Sequence, residues 1–151
     1  MTVTSVDTRE LPTRIYNLAV TVSGMKRTIS TDEAPQAVGA YSQAMTDGSR
    51  LYTAGQIPMT PDGELLDEAS IATQTEQALD NVLAILDSEG LDSSAILKTT
   101  VFLADIEDFE AMNEVYSTYF DAEPPARSAV QAGALPKGVG IEIEAIATLE
   151  P

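Results

Sequence analysis

Ile141-Glu142-Ile143-Glu144-Ala145-Ile146-Ala147 alternates apolar side chains with two glutamates, and Pro124-Pro125-Ala126-Arg127-Ser128-Ala129-Val130 stands shortly before it. A period of two is the signature of a strand with one buried face, so Ile141, Ile143 and Ala145 share one side and Glu142 and Glu144 the other. The spacing predicts two strands, 127–134 and 140–149, joined by Leu135-Pro136-Lys137-Gly138. Pro124-Pro125 closes whatever precedes them, because proline disfavours helix at the residue before it.

Outward from there the elements alternate. Residues 105–120 place Phe109, Met112, Val115, Tyr116 and Tyr119 at helical spacing, and 96–104 is β-rich through Thr99-Thr100-Val101-Phe102-Leu103. Residues 70–89 form the clearest helix, with Ile71, Thr75, Ala78, Leu79, Val82, Leu83, Ile85 and Leu86 on one stripe and Gly90 as its stop. Its acidic face (Glu76, Asp80, Asp87, Glu89) reads as solvated. Further back, the Pro35 and Gly39 breakers make a loop that feeds a strand beginning near Tyr41, and Leu51-Tyr52-Thr53-Ala54-Gly55 returns after an Asp47-Gly48 turn. The order β-β-β-α-β-α-β-β implies an α+β layer fold, one sheet with two helices on one face. Its other face needs cover, which homo-oligomerisation supplies.

Residues 1–24 differ from the rest: Asp7, Arg9, Glu10 and Arg14 sum to zero charge, and Met25-Lys26-Arg27-Thr28-Ile29 reads like a natural start. They are an N-terminal extension, either a disordered tail from an upstream start codon or an added edge strand or oligomer contact. Residues 25–151 form the domain.

Composition removes whole classes of chemistry. The 151 residues contain no cysteine and no histidine. Disulfide scaffolds, thiolate catalysis, serine–histidine triads and histidine-type zinc sites are excluded. No dinucleotide fingerprint or phosphate-binding loop is present, so no cofactor is implied. Glu142 and Glu144 could share a cation, but neither EF-hand spacing nor a histidine ligand supports a metal. The net charge of −16, with lysine only at 26, 98 and 137, argues against nucleic acid and fits a cytoplasmic protein adapted to high salt. No apolar run is long enough to span a bilayer.

The remaining candidates are few. The Arg127 guanidinium suits bidentate capture of a carboxylate, either from a ligand or, as a structural ion pair, from one of the 24 acidic side chains. Glu142 on an ordinary strand is solvated; in a cleft shielded by an oligomer it becomes a water-activating base. Tyr41 could line a pocket or simply belong to the core or rim.

Taken with residues 34–44, Thr53-Ala54-Gly55-Gln56-Ile57-Pro58, Lys98-Thr99-Thr100-Val101-Phe102, Pro125-Ala126-Arg127-Ser128 and 141–147, the chain resembles the Rid proteins (YjgF type) over nearly all of 25–151. Within them it resembles the RidA subgroup of enamine/imine deaminases. The resemblance implies a chorismate-mutase-like single mixed sheet with two helices, and a homotrimer with one cleft at each subunit interface. It further implies hydrolysis of small 2-imino or 2-enamino acids, such as 2-aminoacrylate and 2-iminobutanoate, to 2-keto acids and ammonia. On that likeness Arg127 clamps the substrate carboxylate, Glu142 positions or deprotonates the attacking water, and Tyr41 lines the cleft from the neighbouring subunit. Gly55 offers backbone near the ligand, and Asn113 borders the site. Ala129 stands where the subgroup usually has cysteine, with a backbone contact as its role, and Ala54 where serine is common. The 120–126 loop is shorter than usual. The rival readings are a non-catalytic trimer that binds small carboxylates, and a ribonuclease or translation inhibitor, which the absent histidines and the acidity disfavour.

Overall fold

The computed structural model describes residues 26–150. The expectations for residues 1–24 lie outside the described residues.

Among the described residues six strands form one mixed sheet: β1 (Arg27–Ile29), β2 (Ala44–Thr46), β3 (Arg50–Thr53), β4 (Ile96–Leu103), β5 (Ala126–Gln131) and β6 (Ile141–Thr148), in the spatial order β1-β2-β3-β6-β4-β5. Helices α1 (Ile71–Asp87) and α2 (Phe109–Ser117) interrupt the strands in the expected chain order. The alternation in β6 does what it promised. Ile141, Ile143, Ala145 and Ala147 are buried at 2% exposure or less, against Ala78, Leu79, Val82, Ile85 and Leu86 of α1. Glu142, Glu144, Ile146 and Thr148 therefore point to the face that neither helix covers.

Helix α1 starts where the Ser70 hydroxyl accepts the Thr73 N–H at 3.2 Å. It ends at Gly90, whose φ of +72° lets Gly90 N–H reach the Asp87 carbonyl and Leu91 N–H the Leu86 carbonyl, a Schellman ending. Two buried amides tie this helix to loops. The Asn81 side chain donates to the Ile57 and Met59 carbonyls, and Gln74 donates to those of Asp67 and Ala69 while accepting the Gly140 N–H. The segment after β3 is thereby fixed against the helix layer.

Three details depart from the sequence reading. Tyr41 lies in the loop before β2, which starts only at Ala44, because Gln43 turns inward to satisfy loop carbonyls. Helix α2 is shorter than 105–120; its approach is a 3-10 turn, Ile106–Asp108, capped by Asp105. β5 and β6 are consecutive but not neighbours, since β4 runs between them, parallel to β5 and antiparallel to β6.

Candidate active site

Arg127 stands on β5, the edge strand, and the parallel register sets it beside Thr99 of β4. Thr99 faces the helices and is fully buried, and its hydroxyl meets that of Tyr116 on α2 at 2.7 Å. Arg127 consequently projects towards α2 as well. Its Nη1 donates to Asn113 Oδ1 at 2.7 Å, and its Cζ lies 4.6 Å from the Tyr116 ring centre and 5.3 Å from that of Phe109. The structural ion pair considered for this arginine does not form: among the described residues the close ion pair is Arg27 with Glu89, and no carboxylate reaches Arg127. A cation held by an amide and two ring faces keeps its charge available to an anion. Beside it opens a cavity of about 420 Å³ lined by Asn113, Tyr116, Ser117, Phe120, Asp121, Pro124, Pro125 and Arg127 itself. Burial pushes the Tyr116 hydroxyl up from the ordinary phenol value, so it stays neutral beside the guanidinium.

Glu142 is built into the sheet quite differently. Gln56 forms a two-bond bridge with Ile143, its N–H to the Ile143 carbonyl at 2.8 Å and its carbonyl from the Ile143 N–H at 3.0 Å. That bridge lays Gly55 directly against the Glu142 carboxylate; a Cβ at position 55 would come within 1.9 Å of Oε1. Desolvation first, and the charge of Glu144 second, raise the Glu142 carboxyl above the ordinary glutamate value. Such a group is a better base than a solvated glutamate and a usable acid once protonated.

Around Gly55 a second cavity, about 280 Å³, is lined by Tyr41, Val38, Gln56, Ile57 and Lys137 among others. Tyr41 is 55% exposed there. The loop that carries it is pinned by Gln43, which is 2% exposed, accepts the Thr31 N–H and donates to the Thr31, Ala34 and Pro35 carbonyls. Ala54 is half-buried, its N–H bonded to the Gln43 carbonyl at 2.8 Å. Ala129 packs against the core two residues beyond Arg127 on the helix-facing side.

The candidates thus form two groups. Arg127, Asn113 and Ala129 are on the helix-covered side of the sheet at its β5 edge; Glu142, Gly55, Ala54 and Tyr41 gather around the uncovered side of β6 and the loops beside it. The sequence reading joined Arg127 and Glu142 around one substrate, and a single chain does not do this: strand parity sends the two side chains to opposite faces. Phe109, Tyr116 and Thr99 are not among the sequence's candidates, the first two entering it only through their helical spacing. Their signal was the spacing Phe109, Asn113, Tyr116, which puts two rings and an amide on one helical face. Lys137 was noted only in a turn; it lines the Tyr41 cavity with a left-handed backbone, φ 58°. Among the described residues no group of three or more acidic side chains could hold a metal, and no helix is long and apolar enough to cross a membrane.

Residues 31–149 match the family model described as Endoribonuclease L-PSP. The rat protein named 2-iminobutanoate/2-iminopropanoate deaminase is 49% identical over 127 residues, covering 84% of this chain and 93% of that one. The crystal structure of the YjgF gene product of E. coli superposes with a TM-score of 0.77 at 47% identity, over 81% of this chain and 98% of that one. E. coli TdcF, crystallised with bound serine, gives a TM-score of 0.77 at 45% identity, again over 81% and 98%.

Proposed function

The chain belongs to the endoribonuclease L-PSP family, the YjgF/Rid proteins, and from that premise we propose that it is an imine deaminase converting small 2-imino and 2-enamino acids to 2-keto acids and ammonia. The observation that carries the reading is Arg127, a guanidinium that no carboxylate among the described residues reaches, in a chain of net charge −16.

An imine carbon is already electrophilic, so the protein needs only to fix the substrate and supply water. Arg127 pairs with the substrate carboxylate through its free N–H groups. Glu142 takes a proton from water as the oxygen adds to the C=N carbon of the protonated imine, giving a neutral carbinolamine; it returns that proton to nitrogen, and as ammonia leaves the freed Glu142 carboxylate accepts the hydroxyl proton and the carbonyl forms. The raised Glu142 carboxyl suits both directions of transfer. Tyr41, Ala54 and Gly55 border the water side, and Ala129 and Asn113 the carboxylate side.

Because one chain turns Arg127 and Glu142 to opposite faces, the complete site needs a second copy, and we place it between subunits of a homotrimer. Support comes from the sheet face that neither described helix covers, where among the described residues Tyr52 and Val130 remain 46% and 45% exposed. The acidity and scarcity of lysine support a cytoplasmic setting at high salt, with neither nucleic acid nor membrane as partner. The ribonuclease in the family's description finds no histidine here to perform it.

A second reading, a non-catalytic binder of small carboxylates, is favoured by the serine bound to TdcF. One experiment separates the two. An amino-acid oxidase generates 2-iminobutanoate in situ at high salt, and keto-acid release is followed for wild type, Arg127→Ala and Glu142→Gln. The deaminase reading expects acceleration by wild type and the uncatalysed rate for both variants. Wild type at the buffer rate, still binding 2-ketobutyrate through Arg127, selects the binder; sedimentation as a monomer refutes the shared site.

A further inference from the structure

A carboxylate clamp is effective when its fork is oriented before the ligand arrives, since an arginine free to sample its rotamers loses that entropy on binding. Arg127 is not free. Phe109, Asn113 and Tyr116 occupy positions i, i+4 and i+7 of α2, one face of the helix, and all three touch its guanidinium. Tyr116 is the firm part of that surface: it is 4% exposed, and its hydroxyl is held by the fully buried Thr99, the residue facing Arg127 across the parallel ladder.

We propose that this stripe is a cradle for the clamp, with Tyr116 a positioning residue: its ring, anchored through Thr99, forms the floor on which the Arg127 fork is aimed at the substrate carboxylate. The inference rests on reading Arg127 as a carboxylate clamp. All the cradle's members are neutral. They hold the guanidinium by cation–π contact with two rings and by one hydrogen bond to an amide, and none of them neutralises the charge that a ligand would meet. An acidic residue in their place would orient the fork equally well and neutralise it.

The test uses the full chain with Tyr116→Leu and Tyr116→Phe. The readouts are KM and kcat for 2-iminobutanoate, the Kd for 2-ketobutyrate by calorimetry, and thermal unfolding to confirm folding. Loss of the ring face raises KM and Kd about five- to thirty-fold in Tyr116→Leu while kcat stays within about threefold. Tyr116→Phe, which keeps the face, recovers most of that loss. If Tyr116→Leu does not fold, Phe109→Leu, at a half-buried position, carries the same comparison with a smaller effect. A folded leucine variant with wild-type KM and Kd overturns the cradle, as does a loss confined to kcat or a phenylalanine variant as weak as leucine. Should wild type hydrolyse no imine, the deaminase reading fails on that result while the Kd series still decides the cradle.

Discussion

Replacing Gly55 by alanine separates a residue that merely fits from one that makes room for catalysis. The backbone there does not occupy the left-handed region, so alanine is allowed conformationally. The obstacle is Glu142, whose Oε1, Cδ and Cγ would lie 1.9, 2.7 and 2.9 Å from the new methyl group. The carboxylate must retreat by about 1 Å before it regains even a 3.0 Å contact. As the mobile end of a side chain it can do so, at a rotamer cost of about 0.5–1.5 kcal/mol. Lost freedom in the unfolded chain offsets about 0.4–1 kcal/mol of this, leaving stability within about 1 kcal/mol of wild type. Activity is far less tolerant: misplacing a catalytic group by about 1 Å costs on the order of 100-fold. Urea unfolding and kcat/KM for 2-iminobutanoate are to be measured on Gly55→Ala, Glu142→Gln and the double variant. The expected result is a folded Gly55→Ala with kcat/KM down about 100-fold, and a double variant no worse than Glu142→Gln. A Gly55→Ala enzyme within threefold of wild type, or a double variant showing the full product of both losses, would refute the reasoning.

Further consequences are as specific. Because burial and Glu144 raise the Glu142 carboxyl, the folded chain holds that proton more tightly than the unfolded one; stability is fullest below the unfolded value and declines as pH rises through the folded one. Glu142→Gln therefore flattens that decline in a pH series of urea unfolding, and the acid limb of the wild-type rate profile is displaced upward from that of a solvated glutamate. Asn113→Asp brings a carboxylate onto Arg127 with little change of shape, so binding of 2-ketobutyrate weakens at least about tenfold while thermal stability holds or rises. Gln43→Ala leaves the Thr31 amide and several carbonyls without their partner and costs about 1–3 kcal/mol in urea unfolding. Tyr52→Glu puts a charge into the sheet face that neither described helix covers and is expected to shift sedimentation from the proposed trimer to monomer without unfolding the chain.

What could be read in advance follows from how local each signal is. β6 announced itself because its alternation is complete, and α1 because its apolar stripe is bracketed by Ser70 and Gly90. The insertion of β6 between β3 and β4 leaves no trace in either neighbour's own pattern, so the sheet order was out of reach of periodicity. The face taken by Arg127 was equally hidden: Ala126, Ser128 and Ala129 are too small and too alike to declare an inside and an outside, and only the pairing with Thr99 decides it. Gly55 is expected from the resemblance to offer backbone near a ligand; what the structure shows is a glycine giving space to Glu142, which lies 87 residues further along the sequence and is out of reach of any local pattern. The two rings under Arg127 looked like core because core and cation floor share the same helical spacing.

The place of β6 also has a consequence for how the molecule is made. It is the last strand in chain order, yet it pairs with β3 on one side and β4 on the other. Until residues 141–148 have left the ribosome, the nascent protein holds two unconnected fragments of sheet, β1-β2-β3 and β4-β5, each with an unpaired inner edge. Contacts so distant in sequence form slowly, and unpaired edges invite other chains. The same late strand carries Glu142, so the chain gains its proposed base only in the step that closes its sheet.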